Sequence, residues 1–293
     1  MTGTLNKLQR PALLAVAVLS LTLPATSWGA PTASATAMSA HPCAGEPSGV
    51  PGPAFMHMIL SPGAHFALPP QTARAARAAN LERARDWADL CRYRAANAAL
   101  KHGARVVFMG DSITDFWQDA EPSLFTDGVV DRGISGQTTQ QMLVRFWPDV
   151  IALHPQIVQI LAGTNDIAGN TGPTSAQYYE DDIKAMVTLA RANHIHVILG
   201  SIPPSIRYWW APQYRPAAEI RRLNAWLRRY ARLHHLRFVN YYAHLALPSG
   251  GFRRSLSNDG VHPNRNGFKV MSALARAAID APWMHRPAGG VHR

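Results

Sequence analysis

The chain has 293 residues, 47% of them from the set AVILMFWYC and 16% charged. That apolar share excludes a wholly disordered chain, and the length excludes a mini-protein held together by staples alone. The 21 Gly and 22 Pro follow no triplet period, which excludes collagen. The formal charge is +11, from 29 Lys and Arg against 18 Asp and Glu. The basic residues lie mainly in Ala-rich amphipathic stretches with no aromatic-interleaved patch, so nucleic acid is not an expected partner.

Residues 1–10 carry Lys7 and Arg10 and no acid. Residues 11–23 are almost purely apolar, Pro24 breaks the run, and small residues continue to Ala35. This three-part layout predicts a secretory signal over residues 1–30. The apolar run is shorter than the ~20 residues a membrane span requires. Export to a periplasm or the exterior, with no stable membrane anchor, is therefore expected. The chain has two cysteines, Cys43 and Cys91. In an oxidising compartment they can bridge; the alternative is two unpaired thiols.

Residues 31–70 are rich in Ala, Pro, Ser, Gly and His and read as a linker or extended arm. Residues 71–103 read as a helical segment, because Leu81, Trp87, Leu90, Cys91, Tyr93 and Arg94 recur at helical spacing between 73 and 100. From residue 104 strands and helices alternate. Strands are predicted at 105–109, 129–131, 156–161, 195–200 and 236–241. Helices are predicted at 138–153, 175–193, 216–233 and 264–279, the second capped by Thr174 or Ser175. Short, continuously apolar strands between helices imply an α/β domain over 104–281, with a parallel sheet covered on both faces. Residues 282–293 form a tail.

Ligands of such sheets bind at the carboxyl ends of the strands. Four loops there, or just before the last helix, carry reactive groups. They are Gly110-Asp111-Ser112-Ile113-Thr114, Arg132-Gly133-Ile134-Ser135-Gly136-Gln137-Thr138, Gly163-Thr164-Asn165-Asp166 and Asp259-Gly260-Val261-His262-Pro263-Asn264. Together they offer a hydroxyl, an imidazole, carboxylates, a carboxamide and glycine backbone, the inventory for acyl transfer. Ser112 needs a base to become a nucleophile, His262 is the candidate, and Asp259 can reach the other ring nitrogen. Each residue also has a duller reading: Ser112 as a helix N-cap, Asn165 as a turn former, and 259–264 as a helix start with Pro263 in its first turn. Asp111 and Asp166 read as loop-bracing groups. The other 12 histidines show no metal-ligand spacing, and no G-x-S-x-G elbow, Walker loop or G-x-G-x-x-G occurs at the first strand.

The four blocks, in this order, resemble those of the SGNH hydrolases, the GDSL esterase and lipase family, whose four letters fall on Ser112, Gly136, Asn165 and His262. The RGISG run is most similar to bacterial secreted lysophospholipase-like and acetylhydrolase-like members. The resemblance implies a three-layer α/β/α, flavodoxin-like fold with a five-stranded parallel sheet. It also implies a Ser112-His262-Asp259 triad and an oxyanion hole from the Ser112 and Gly136 N–H groups with the Asn165 side chain. The implied function is a serine esterase for short acyl, acetyl-ester or lysophospholipid-like substrates, needing no cofactor or metal. A polysaccharide O-acetyl esterase, an acyltransferase and a non-catalytic carbohydrate-binding module are the alternatives. Gln137 departs from the Asp of many members, and Thr114 and Trp117 differ from the Leu-type first block. The loop 203–216 carries Tyr208, Trp209, Trp210 and Tyr214. These rings either line an acyl or sugar pocket or pack against the domain. Oligomeric state is left open.

Overall fold

The computed structural model describes Cys43, residues 51–67 and residues 86–283. The expected signal segment and nearly all of the 282–293 tail lie outside them. Helices α1 (Pro53–Leu60) and α2 (Arg94–Ala98) precede strand β1 (Val106–Gly110). The chain continues through α3 (Ser112–Asp115), α4 (Trp117–Ala120), β2 (Val129–Gly133), α5 (Thr139–Asp149) and β3 (Ile157–Leu161). It ends with α6 (Thr164–Ala168), α7 (Ala176–Ala192), β4 (His196–Gly200), α8 (Ala217–Leu233), β5 (Arg237–Val239), α9 (Tyr241–Leu245) and α10 (Arg265–Asp280).

The five strands make one parallel sheet in the order β2-β1-β3-β4-β5. Every residue of β1 and β3 is buried, which is why these strands read as apolar runs without alternation. On one face α5, α7 and α8 set Met142, Phe146, Ile183, Met186 and Leu223 against Val107, Met109, Val158 and Leu199. On the other, α1, α4 and α10 set Ile59, Leu60, Trp117, Phe268 and Met271 against Val106, Phe108, Ile157 and Ile198. The result is the three-layer α/β/α arrangement. Strand order reverses between β1, whose next strand pairs on one side, and β3, which pairs on the other. A crevice opens at such a switch point, and the loops carrying Ser112 and Asn165 leave from these two strands.

The leading segments differ from expectation. Within the stretch read as an arm, residues 53–60 form a helix started by Pro53, and Ile59 and Leu60 at its end are buried. Asn258 grips that end: its Nδ2 donates to the carbonyls of Met58 (2.9 Å), Ile59 (3.1 Å) and Ser61 (2.8 Å). Of the predicted 73–100 helix, residues 73–85 lie outside the described residues, and 86–93 form turns, leaving only α2 helical. Asp89 takes a positive φ of 54°, and Trp87 and Leu90 are exposed, so their spacing does not mark a buried helix face. Cys91 in these turns is disulfide-bonded to Cys43, with Cα atoms 5.4 Å apart. Strand β5 is shorter than predicted because Asn240 already caps α9, its Oδ1 accepting from Ala243 N–H.

Candidate active site

Strand β1 ends at Gly110, and the chain turns at once into α3. The cap of α3 is Asp111, whose Oδ1 accepts from Ile113 N–H at 2.9 Å. Ser112 therefore occupies the first helical position and its hydroxyl is not used in capping. The Ser112 Oγ lies 2.9 Å from His262 Nε2. On the far side of the ring, His262 Nδ1 lies 2.6 Å from Asp259 Oδ2. Asp259 is fixed by its own turn: its Oδ1 accepts from the backbone N–H of His262 (2.8 Å) and Val261 (2.9 Å) and from the Ser257 hydroxyl (3.2 Å). Burial works to raise the Asp259 pKa, but the facing His262 and these donors outweigh it and hold the carboxyl down at about 2. Asp259 is thus an anion well matched to an imidazolium.

The loops that follow β1, β2 and β3 carry a set of candidate donors. Among the described residues, the backbone N–H groups of Ser112 and Gly136 have no protein acceptor. Gly136 has φ +83°, and a Cβ there would meet only Asn170 Nδ2, at 3.8 Å. Its backbone conformation, more than crowding within the protein, is what favours glycine. Asn165 is 2% exposed. Its Nδ2 donates to the Gln137 carbonyl at 3.0 Å and makes a longer contact to Asp111 Oδ2 at 3.3 Å. Asn170, which the sequence reading did not select, donates from Nδ2 to the Gly136 carbonyl and to Asn165 Oδ1, both at 2.9 Å.

The floor of the site is polar and buried. Burial, the dominant effect, pushes Asp111 up to about 7 and Asp166 up to about 6. Asp166 braces the start of α5, accepting from the Thr139 hydroxyl at 2.5 Å and from its N–H. Gln137 ties the second loop to two partners. Its Oε1 accepts from Arg145 Nε at 2.6 Å, and its Nε2 donates to the Ala88 carbonyl at 2.8 Å. Arg145 is fully buried, pairs with Asp149 at 3.0 Å, and donates to the carbonyls of Gly110 and Arg132 at the ends of β1 and β2. Gln137 therefore joins the glycine loop to the 86–93 turns, which carry the disulfide-bonded Cys91.

The aromatic loop divides into two roles. Tyr208 is fully buried and stacks under Trp210, ring centroids 5.0 Å apart; this corrects the expectation that it lines a pocket. Trp209 and Trp210 are half-buried. Trp209 Nε1 donates to Asp259 Oδ2 at 3.2 Å, and Trp210 Nε1 to Asn170 Oδ1 at 2.9 Å. The Trp210 ring stands 6.3 Å from that of His262. Tyr214 is exposed. None of these indole contacts is legible in the sequence, because each crosses between loops far apart along the chain.

Residues 108–270, more than half of the chain, match the model of the GDSL-like lipase/acylhydrolase family. None of the curated proteins matches the chain. Among solved structures, it is similar to a candidate acylhydrolase from Bacteroides fragilis, at 43% identity and a TM-score of 0.65, covering 67% of this chain and 97% of that one. A GDSL-like lipase from Bacteroides thetaiotaomicron is similar at 42% identity and a TM-score of 0.64, covering 66% of this chain and 98% of that one. An acetyl xylan esterase shares the fold at 22% identity and a TM-score of 0.50, covering 59% of this chain and 98% of that one. With the family model spanning its α/β domain and two relatives above 40% identity, the chain belongs to the GDSL-like lipase/acylhydrolase family and is an ester-bond hydrolase.

Proposed function

We propose that the protein is an exported serine esterase that cleaves carboxylic esters through an acyl-enzyme. The observation that carries this reading is the run of two short contacts, Ser112 Oγ to His262 Nε2 at 2.9 Å and His262 Nδ1 to Asp259 Oδ2 at 2.6 Å. Ser112 Oγ attacks the ester carbonyl as His262 Nε2 takes its proton. Asp259, an anion accepting from Nδ1, sets the tautomer and stabilises the imidazolium. The oxyanion that forms is met by the unspent N–H groups of Ser112 and Gly136. Asn165 joins them by giving up its longer contact to Asp111. The imidazolium then protonates the leaving alcohol. A water molecule, deprotonated by His262, releases the acid and restores Ser112.

The substrate we infer carries a short acyl group, acetyl first. The resemblance to acetylhydrolase-like members of the family supports this choice. The alcohol side is a small molecule, a lysophospholipid or an acetylated polysaccharide. Ser112→Ala should abolish turnover of an aryl acetate with the fold intact. A panel of aryl esters of increasing acyl length, lysophospholipids and acetylated xylan should show the highest kcat/KM on an acetyl ester. A maximum at long acyl chains contradicts the substrate reading alone. Turnover unchanged in Ser112→Ala contradicts the mechanism.

A further inference from the structure

Trp209 and Trp210 are adjacent on one loop, yet their indole N–H groups point to opposite ends of the site. Trp209 Nε1 donates to Asp259 Oδ2, the same oxygen that faces His262 Nδ1. Trp210 Nε1 donates to Asn170 Oδ1. That bond leaves the Asn170 amide nitrogen turned toward the Gly136 carbonyl and Asn165 Oδ1. Asn170 is itself exposed, and the indole bond is one of three side-chain bonds that fix this surface amide in one orientation. The two rings meet edge to face at 4.9 Å. The fully buried Tyr208 supports Trp210 from beneath, and Phe66 of the leading segment packs on Trp209 with centroids 5.6 Å apart. The loop is thus seated on both sides.

We propose that Trp209 and Trp210 are positioning residues that hold the two arms of the site in register. Trp209 orients the Asp259 carboxylate that directs His262, and Trp210, through Asn170, orients Asn165 and Gly136 at the oxyanion position. This rests on the serine-esterase reading above. It assigns the rings a role in kcat, where a pocket wall would act on KM and acyl-length preference. A site held by hydrogen bonds from packed side chains loses turnover when those bonds go, because the reacting groups must then be reordered in each cycle.

The test uses the full chain and an aryl acetate. Trp209→Phe and Trp210→Phe keep an aromatic ring at each position and delete the N–H donor. Trp209→Phe should lower kcat about ten-fold with KM unchanged, since a hydrogen bond to a charged group is lost. Trp210→Phe should lower kcat about three-fold, as for a neutral bond. Asn170→Ala, at an exposed position, cuts the same arm without touching a ring. It should lower kcat by a similar factor, and adding Trp210→Phe to it should cost nothing more. Unchanged kcat in all three variants overturns the proposal. So does an altered KM or acyl preference with kcat kept, or fully additive effects of Asn170→Ala and Trp210→Phe. Ser112→Ala assayed alongside separates the two levels. Turnover retained there removes the esterase reading and this proposal together, whereas a dead Ser112→Ala beside fully active tryptophan variants removes only the positioning role.

Discussion

Ser112 Oγ and His262 Nε2 lie 2.9 Å apart although 150 residues separate them along the chain. The sheet explains this. Its strands are parallel, so every carboxyl end lies at one edge, and the reversal of strand order between β1 and β3 opens a crevice there. Ser112 leaves β1 at that edge, Asn165 leaves β3, and the turn before α10 returns His262 to the same place.

The Asp259 carboxylate is asymmetric, and this makes Asp259→Asn informative. Oδ1 accepts from two backbone N–H groups, so the amide oxygen of Asn must stay on that side. The NH₂ then faces His262 Nδ1. The ring is driven to the tautomer with a proton on Nε2, which cannot accept from Ser112. The expected loss in kcat is on the order of 10⁴-fold. Steady-state kinetics with circular dichroism checks it, and a loss under ten-fold with a native spectrum contradicts it.

Gly136→Ala should separate function from stability. The added methyl finds space, with its nearest neighbour at 3.8 Å. The φ of +83° is the difficulty, costing ~1–2 kcal/mol for an L side chain. Relief of that strain turns the N–H away from the oxyanion position, for which kcat should fall on the order of 10²-fold. Urea unfolding beside kinetics measures both, and full activity contradicts the role given to this N–H.

Asp111 gives a pH signature in stability. Its carboxyl sits at about 7 in the folded protein against an ordinary 3.8. Between those values the native state keeps a proton the unfolded chain has released, so stability falls as pH rises through that window. Asp166, at about 6, acts in the same direction. Asp259 is opposite: held at about 2, it favours the fold above the ordinary carboxylate value and loses this only as pH falls toward 2. Asp111→Asn keeps an N-cap acceptor for Ile113 and cannot ionise. Relative to the parent it should gain stability from about pH 4 to about pH 8. Urea midpoints across that range are the measurement, and a constant difference contradicts it.

The Cys43–Cys91 bond closes a separation of 48 residues and should contribute up to ~4 kcal/mol by restricting the unfolded chain. The paired Ser variant should show a lower melting temperature. The glycine loop should also loosen, since Gln137 donates to Ala88, close to Cys91 in the same run of turns. Calorimetry of the two proteins decides, and equal melting temperatures contradict the contribution.

The sheet was legible because β1 and β3 are buried on both faces and so spell apolar runs, and α7 because Ser175 caps it. Helix α1 was hidden: it is eight residues long and buries only Ile59 and Leu60, so its Pro- and Gly-rich surroundings dominate. The turns at 86–93 carry apolar residues at helical spacing without being a helix, because Asp89 takes a positive φ and the Asp86 carboxylate accepts from Cys91 N–H. Position beside predicted strands and the last helix singled out four loops, and within them the resemblance to the SGNH hydrolases pointed to Ser112, Gly136, Asn165 and His262. Asn170 and the indole bonds could not be picked out, because side-chain contacts between loops leave no periodic trace.

Every role assigned to His262, Asp259 and the candidate donors requires Ser112 to be the nucleophile. Intact-protein and peptide mass spectrometry after treatment with a fluorophosphonate measures this directly. The expected result is one adduct per chain on the peptide holding Ser112, with Ser112→Ala unlabelled and unable to turn over an aryl acetate. A stoichiometric adduct on another residue, with Ser112→Ala fully active, is the result that contradicts it.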